Sequence, residues 1–444
     1  MKRKVFLVLL AVCLGLSACQ AQHAPGGNSH TDADKIKDPS SASDSGAPVQ
    51  NTETTKAQES DAPTAESTQP ETDPVLPRIL EGEGMGFNGL DNGLIAYLRA
   101  NGMEDKSFTV SPLSLKAALA LTAVGAEGET QRQLLDALGF KTVEELTDWY
   151  ASVLVGVADF DGRIYGADKE DSAYRVVNAI FHNGNCDGEF RDSYKKLVAQ
   201  KLAAQASSYP ALEITGAINR WVKDQTDGMI PSIVQDASQS AAVLVNALYL
   251  KTKWIEPFAE ADLRDFTTVD GQTVQKEFIT RTDNFRYYED SDCQMVVISM
   301  QGGTQIGLLL GDGTNLNEKL QSAKTRRVRV TLPKFEVETS LDKKELVKYL
   351  IASGCGLPFV DGGAEFDPMF TKELFVDDII QKAKVHVDEK GLEAAAATAV
   401  IMTRATAVPR PEEPVDFTAD RPFQFVIFRE DAAPELLFWG QVMD

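Results

Sequence analysis

The sequence predicts an α+β fold, in which helices dominate the first half of the folded region and strands dominate the second half. Segments with helical spacing fill residues 89–140, and another helical pattern precedes residue 227. Runs of β-branched and aromatic residues crowd the chain from residue 296 to the C-terminus. Because the two kinds of segment do not alternate, the pattern argues against a βαβ architecture.

The early helices carry recognisable start and stop signals. In VSPLSLKAALALTAVGAEGETQRQLLDALGF, Ser111 is suited to cap a helix and Pro112 to occupy its first position. Gly125 and Gly128 predict a break after this buried, Ala/Leu-rich helix, and a second helix is expected from Thr130.

The middle of the chain mixes strands and helices. RVVNAIFHNG has the composition of a strand, DSYKKLVAQKLAAQA is helical, and ITGAINRWVKDQTDGMIPSIV predicts a helix that ends at Asp227-Gly228. The near-continuous apolar run that opens AAVLVNALYLKTKWIEPF predicts a strand covered on both faces.

The N-terminus predicts secretion and a lipid anchor. MKRKVFLVLLAVCLGLSAC has a basic start, an apolar run shorter than a typical membrane span, and small residues before Cys19. Leu16-Ser17-Ala18-Cys19 resembles the lipobox of bacterial lipoproteins, in which the signal is removed before a lipidated cysteine. We therefore expect a signal peptide at residues 1–18 and an extracellular or cell-envelope location in a bacterium, with Cys19 anchored in a membrane. The alternative is an ordinary secretory signal with a chance cysteine.

Residues 19–76 predict a disordered acidic tether that carries the lipidated cysteine at its start. The segment is rich in Ser, Thr, Pro, Asp and Glu and has no aromatic residue, so it cannot bury enough apolar surface to offset chain entropy. Its root-mean-square reach is roughly 40 Å. The folded domain is expected over residues 77–444.

Composition excludes several classes of partner and cofactor. The net charge of −22 argues against nucleic acid, and equally against a basic heparin-like site. No CxxC pair occurs, so neither a zinc site nor a redox dithiol is indicated, and we expect no metal and no cofactor. Cys186, Cys293 and Cys355 are predicted to be buried thiols.

Catalytic motifs are missing or out of context. HExxH, GxSxG and a Walker loop do not occur. GMGFNG at residues 84–89 matches GxGxxG but follows the tether instead of a strand. SLDK matches SxxK, and Ser340 in it is expected to cap a helix. The chain is therefore predicted to bind a partner and not to be an enzyme.

The segment GLEAAAATAVIMT combines a breaker with a run of small residues. Read with period 2, one face is apolar or weakly polar and the other is mostly small. A strand that enters between two existing strands needs small side chains at its leading end, and Gly391 supplies a hinge. The alternative on this stretch alone is an exposed alanine-rich helix.

EKGLEAAAATAV resembles the hinge of inhibitory serpins. VSPLSLKAALALTAVGAEGET, INRWVKDQTDGMI, NALYLKTKWIEPF, LPKFEVE and DRPFQFVIF…LLFWGQV resemble other serpin segments in the family's order. The resemblance covers about residue 86 to the C-terminus. It implies the serpin fold, with three β-sheets, eight or nine helices, and an exposed reactive-centre loop of about residues 391–414 that inserts into the large central sheet, sheet A.

The resemblance implies a protease inhibitor that acts as a suicide substrate. A target serine protease, or a cysteine protease, cleaves the loop and is trapped as a covalent acyl-enzyme when the loop inserts as a new strand. The nucleophile belongs to the target, and we expect this chain to be a monomer. The alternative is a non-inhibitory serpin, cleaved as a substrate or acting as a binding module.

The bond to be cleaved is implied by its distance from the hinge. In most inhibitory serpins it follows the residue fourteen positions after the hinge glycine, which here gives Ala405–Thr406. A small residue suits an elastase-like or subtilisin-like target. A loop shorter by one residue would instead place the bond at Arg404–Ala405, which suits a trypsin-like target, and both alternatives stay open.

Other functional residues are carried over from the family by position. The hinge comprises Glu389, Gly391, Leu392, Glu393, Ala394, Ala395, Ala396, Ala397 and Thr398. Beneath the point where the sheet opens, the family has a polar cluster matched by Ser111, Ser114, Asn246 and Gln381. At the top of the sheet, Trp254 matches a family tryptophan, and Lys334 pairs with Glu389.

Two positions depart from the family pattern. Gln381 stands where a histidine usually completes the cluster, so this position cannot titrate near neutral pH. Leu392 stands where inhibitors usually carry Thr or Ser, and its bulk is expected to slow insertion and to favour release of cleaved product.

Overall fold

Helices and strands follow the predicted order along the chain. A computed structural model describes residues 89–164, 172–392, 413–429 and 435–444. Within these ranges there are eight α-helices: α1 (Gly89–Leu98), α2 (Pro112–Ala123), α3 (Gly128–Leu138), α4 (Val143–Gly162), α5 (Asp192–Lys201), α6 (Ala211–Gln225), α7 (Leu316–Ser322) and α8 (Leu346–Ala352).

Fifteen strands accompany the helices in the same ranges. They are β1 (Phe108–Val110), β2 (Ala173–Asn183), β3 (Gln205–Tyr209), β4 (Ala242–Lys253), β5 (Ala259–Thr267), β6 (Thr273–Glu289), β7 (Cys293–Ser299), β8 (Thr304–Gly311), β9 (Lys324–Pro333), β10 (Phe335–Leu341), β11 (Asp378–Val387), β12 (Gly391–Leu392), β13 (Val415–Thr418), β14 (Phe423–Arg429) and β15 (Glu435–Val442). The predicted signal peptide, Cys19 and the tether lie outside the described residues.

Several predicted helix ends lie within two or three residues of the observed ones, but the helix predicted over DSYKKLVAQKLAAQA ends at Lys201, and its last two residues belong to β3. Ser111 caps α2, since its side chain accepts a hydrogen bond from the backbone N–H of Ser114 at 3.2 Å. Helix α3 begins two residues earlier than predicted, at Gly128. Asp227 and Gly228 have φ values of 51° and 84°, a left-handed conformation that a right-handed helix cannot continue through.

The expectation that Ser340 caps a helix was wrong. Ser340 lies in β10, which pairs with β11 up to Leu341, and α8 begins only at Leu346. Buried and exposed residues alternate along β10, as expected for a strand with one face in the core. A motif that considers only helix capping does not detect this alternation.

The described strands form two hydrogen-bonded sheets where three were expected. The six-stranded sheet has the order β10-β11-β12-β4-β2-β3. The nine-stranded sheet has the order β1-β15-β14-β8-β7-β6-β9-β13, with β5 paired to β6. The second sheet is continuous because β6, which is 17 residues long, pairs with β5, β7 and β9 along its length.

Helix α2 lies in the core between the two sheets. Every residue of α2 is buried, and it contacts β15 of one sheet and β2 and β4 of the other. Most residues of α2 are Ala or Leu, and the small Ala side chains allow this close approach. Strand β4 is almost wholly buried, as its apolar sequence predicted. This arrangement places the start of α2 directly behind β4 and β11.

Two of the three cysteines are buried as predicted, and the third is not. Cys293 and Cys355 are buried, and burial raises the pKa of their thiols to about 11 and about 12, so both are protonated at neutral pH. Cys186, however, is exposed in the turn after β2, because that turn leaves the sheet. No group of three metal-binding side chains and no helix able to cross a membrane occurs in the described ranges.

Candidate functional site at the opening of the six-stranded sheet

The six-stranded sheet is closed at one end of β4 and β11 and parted at the other. Residues 378–381 of β11 pair directly and in parallel with residues 243–246 of β4. At the opposite end, Leu392 pairs with Val387 on one side and with Thr252 on the other. The two-residue strand β12 therefore lies between β4 and β11 and is antiparallel to both.

The two residues of β12 are fitted tightly between their neighbours. Leu392 is 2% exposed. Gly391 has φ +154°, and a Cβ atom there would lie 2.3 Å from the carbonyl oxygen of Thr252 and 2.6 Å from Cα of Lys253. Only glycine leaves room for the backbone of β4 at this point. The bulk of Leu392, which was expected to hinder entry, is already accommodated between the strands.

A tight turn delivers β12 to this position. The carboxylate of Asp388 accepts hydrogen bonds from the backbone N–H groups of Lys390 at 2.7 Å and Gly391 at 3.0 Å. The indole Nε1–H of Trp254 donates to the carbonyl of Asp388 at 2.9 Å, and the backbone N–H of Trp254 donates to the carbonyl of Lys390 at 2.9 Å. Trp254 thus lies at the top of the sheet, where the resemblance placed it, and holds the turn.

Lys334 joins this turn to the nine-stranded sheet. Its ammonium group lies 3.0 Å from Glu389, 3.2 Å from Glu260 and 3.4 Å from Glu277. The hydrogen bond to Glu389 raises the pKa of Lys334 above its usual value. Partial burial alone would raise the pKa of Glu389, but the hydrogen bond and charge of Lys334, a backbone hydrogen bond and the charge of Lys390 together outweigh it and lower that pKa below its usual range. The structure brings the predicted pair together.

The predicted polar cluster also assembles, at the level where the direct pairing of β4 and β11 stops. Gln381 donates from Nε2 to the backbone carbonyl of Ser111 at 2.9 Å and accepts from its N–H at 3.1 Å. Asn246 donates to the carbonyl of Ser114 at 2.5 Å and accepts from the hydroxyl of the same residue. Gln381 and Asn246 approach each other at 3.5 Å. The start of α2 therefore ties both strands together from behind.

Two members of this cluster were not predicted. Asn246 donates to the side-chain oxygen of Asn178 at 2.5 Å, and Asn178 donates to the hydroxyl of Tyr150 at 2.9 Å. Both residues are buried, and burial raises the pKa of Tyr150 to about 12. The hydrogen-bonded set thus extends from α2 through β4 and β2 to α4, and none of its side chains changes charge near neutral pH.

The remaining loop residues lie outside the described ranges. These are Glu393, Ala394, Ala395, Ala396, Ala397, Thr398, Arg404, Ala405 and Thr406. The chain is described again from Glu413, and β13 begins at Val415. The structure therefore gives the two ends of the predicted loop.

Comparison with known proteins gives consistent matches over this part of the chain. The family model described as "Serpin (serine protease inhibitor)" matches residues 94–444. The leukocyte elastase inhibitor of Equus caballus is 30% identical over 365 residues, which cover 75% of this chain and 91% of that protein. Serpin-Z1A of Triticum aestivum is 33% identical over 369 residues, which cover 75% and 89%.

A solved structure agrees with the sequence matches. The crystal structure of Serpin48, described as a highly specific serpin of the insect Tenebrio molitor, superposes with a TM-score of 0.63 at 26% identity. The superposition covers 76% of this chain and 92% of that one.

Proposed function

The chain belongs to the serpin family, and we propose that it inhibits serine proteases outside the cell by trapping them as a suicide substrate. The observation that carries this proposal is the position of Gly391 and Leu392 between β4 and β11. The first two residues of the segment proposed to insert therefore already lie between the two strands that the rest of the segment would separate. The name of the elastase-inhibitor relative supports the same activity.

Each further residue of the loop would extend a ladder on both of its sides. Strand β12 is antiparallel to β4 and to β11, whereas those two strands are parallel to each other where they meet. Antiparallel pairing is slightly more stable per residue than parallel pairing. Insertion would therefore replace the pairing of residues 378–381 with 243–246 by a stronger arrangement, once the tie through Asn246 and Gln381 is released.

Cleavage supplies the free end that insertion requires. The protease serine attacks the carbonyl carbon of Ala405, the peptide bond breaks, an ester forms, and the amine of Thr406 leaves with a proton. Insertion of residues 393–405 would carry the ester roughly 43 Å at ~3.3 Å per residue. On the order of 20 new hydrogen bonds at ~0.5–1.5 kcal/mol each amount to about 10–30 kcal/mol. This matches or exceeds the ~5–15 kcal/mol stability of a protease domain.

We propose Ala405 as the residue before the cleaved bond, with Arg404 as the alternative. Ala405 follows Gly391 by the family's usual fourteen positions and suits elastase-like and subtilisin-like pockets. The lipobox-like sequence before Cys19 supports a further proposal, that the inhibitor is a lipid-anchored protein of a bacterial envelope.

The test is to mix the purified protein with pancreatic elastase, subtilisin and trypsin separately and to analyse the products on denaturing gels and by intact mass. We expect an SDS-resistant adduct and a released peptide that begins at Thr406. A peptide that begins at Ala405 would identify Arg404 as the cleaved residue. Cleavage without an adduct by all three enzymes would contradict inhibition of these targets.

A matched pair of hinge variants separates insertion from recognition. Ala396→Arg places a long charged side chain in the inserted segment, so we expect cleavage without trapping. Ala396→Ser keeps the residue small and should trap as the wild type does.

A further inference from the structure

A polar groove of about 670 Å³ lies on the nine-stranded sheet, beside the strand to which the reactive loop returns. Its lining comes from β5, β6, β9 and β13 and includes Arg264, Arg281, Arg329 and Asp416. Resting on the inhibitor function proposed above, we propose that this groove docks an acidic surface segment of the target protease. The groove would thereby select among proteases that accept the same loop sequence.

The groove is locally basic although the chain as a whole is strongly acidic. Three arginines and one carboxylate line it, whereas the net charge of the chain is −22. Four threonines also line the groove, of which Thr282 is exposed, Thr280 and Thr418 are half-buried and Thr331 is buried. Guanidinium and hydroxyl groups together are suited to carboxylates, which accept several hydrogen bonds at once.

The three arginines differ in how strongly they are already engaged. Arg281 is held in place, because its guanidinium lies over the rings of Phe258 and Phe285 and 3.2 Å from Asp283. Arg329 faces Asp416 at 2.9 Å, but both side chains are more than half exposed. Such an exposed pair contributes little, so a protease carboxylate can exchange into it.

Arg264 is the groove arginine whose guanidinium group is most available for a new ion pair. It is exposed, and it forms no ion pair with any residue in the described ranges. Arg264 and Arg329 both line the groove, from β5 and β9. They are therefore the two side chains that an incoming acidic segment would engage first.

The groove lies within reach of a protease bound at the loop. Asp416 follows Ala405 by eleven residues, a span of at most about 40 Å when fully extended. A protease domain of about 240 residues is roughly 45 Å across. A protease engaged at Ala405 is therefore large enough to reach the groove while it is bound at the loop. Charges at such a peripheral contact act mainly on the association rate.

The test compares two charge-matched double variants. Arg264→Ala/Arg329→Ala removes the two available groove arginines, and Arg326→Ala/Arg327→Ala removes the same charge from exposed positions of β9 outside the groove lining. The probes are subtilisin and subtilisin whose lysines have been succinylated, which turns ammonium groups into carboxylates. Association rate constants are measured at about 30 mM and about 500 mM NaCl, where screening differs strongly.

We expect the groove variant to associate about tenfold more slowly with succinylated subtilisin at low salt, and the difference to vanish at high salt. The control variant should stay within about twofold of the wild type. Equal rates for the two double variants would overturn the proposal while leaving the inhibitor function intact. Groove-dependent retention on heparin without any change in these rates would also overturn it, in favour of a polysaccharide ligand.

A second measurement keeps this proposal separate from trapping. Binding of the full-length protein to succinylated subtilisin that carries an alanine for its catalytic serine reports docking alone. We expect weaker binding for the groove variant than for the control variant. If the active enzyme is never trapped, the proposed function fails, and the docking proposal is then judged on this binding difference.

Discussion

The carboxylate of Glu389 lies 3.0 Å from the ammonium group of Lys334, and only 21% and 23% of the two side chains are exposed. This pair ties the turn before β12 to the residue between β9 and β10. It therefore connects the two sheets at the end where Gly391 and Leu392 lie between β4 and β11.

Removing the charge of Glu389 should loosen this end of the sheet. A hydrogen bond between charged groups contributes ~1.5–3 kcal/mol, so we expect Glu389→Gln to lower the free energy of unfolding by about 1–2 kcal/mol. Urea denaturation measures the loss. Glu260→Gln is the control, because Glu260 also contacts Lys334, at 3.2 Å, but is 70% exposed. An equal loss in both variants would contradict a special role for Glu389.

The same pair should stabilise the protein over a defined pH range. The pKa of Glu389 is lowered in the fold, so its contribution is present above the unfolded value of about 4.3 and disappears as the pH falls further. The pKa of Lys334 is raised, so its contribution is present below about 10.4 and disappears at higher pH. The stability difference between wild type and Glu389→Gln should therefore be constant at neutral pH and shrink towards about pH 3. A difference that persists unchanged in acid would contradict this.

Asn246 should be the most sensitive member of the polar cluster. Asn246→Ala removes the partner of the Asn178 side-chain oxygen and of the Ser114 hydroxyl in a fully buried site, and each unsatisfied group costs about 1–3 kcal/mol. We expect a loss of about 3 kcal/mol in thermal or urea unfolding. Asn284→Ala, at an exposed position of β6, should change stability by less than about 0.5 kcal/mol.

Gly391→Ala should expel the hinge from the sheet. The added Cβ would meet the backbone of β4 at 2.3 Å, and neither backbone can yield without breaking the ladder. We expect faster hydrogen exchange at the Leu392 amide and faster proteolysis near this residue. Gly356→Ala is the control, since a Cβ there meets nothing within 4 Å. Unchanged exchange at Leu392 would contradict the tight fit.

A buried ion pair behind the sheet should be replaceable by apolar residues. Lys116 lies 3.4 Å from Asp91, and the two side chains are 4% and 3% exposed. Burial raises the pKa of Asp91 to about 6 despite the nearby Lys116. Because this folded pKa lies above the unfolded value, ionisation of Asp91 costs stability as the pH rises through about 6.

Because the ionised, buried Asp91 destabilises the fold, the variants replace the ion pair by apolar residues. Asp91→Leu/Lys116→Met should be neutral or more stable by up to about 4 kcal/mol, whereas Asp91→Leu alone should lose about 3–5 kcal/mol by stranding a buried charge. Unfolding measured at about pH 5 and about pH 8 should show a smaller pH dependence for the double variant than for the wild type. A double variant with a lower free energy of unfolding than Asp91→Leu alone would contradict this prediction.

Local signals in the sequence predicted most elements and some of their ends. Ser111 and the Asp227-Gly228 pair act through backbone geometry within one turn, so their effect is visible in the sequence. Ser340 has the same local chemistry but lies in a strand, because pairing with β11 decides its conformation. The continuity of the nine-stranded sheet also depends on long-range pairing along β6, which no local pattern encodes.

The candidate site was predicted only where the resemblance supplied residues. The structure brings Ser111, Ser114, Asn246 and Gln381 together as implied. Asn178 and Tyr150 were missed, because a polar residue in an apolar segment does not show which distant group satisfies it. The Asx turn at Asp388 could have been found from Asp-Glu-Lys-Gly alone.

The basic groove was missed for a different reason. A net charge of −22 is a sum over the whole chain, and it argued against a nucleic-acid site and a basic heparin-like site. Pairing of β5, β6, β9 and β13 gathers arginines that are far apart in sequence. Local charge therefore depends on topology and cannot be inferred from composition.

The seating of Gly391 and Leu392 also bears on timing. In the proposed mechanism the inserting strand already has its first two residues paired with β4 and β11 before cleavage. After cleavage, the strand would only have to elongate from these two residues. A barrier to this elongation is the set of hydrogen bonds that Asn246 and Gln381 make with each other and with the start of α2. In the proposed mechanism, the rate at which β12 elongates competes with the rate at which the captured enzyme hydrolyses the ester. On this view the strength of the Asn246–Gln381 tie sets the outcome of each encounter, as trapping or as release.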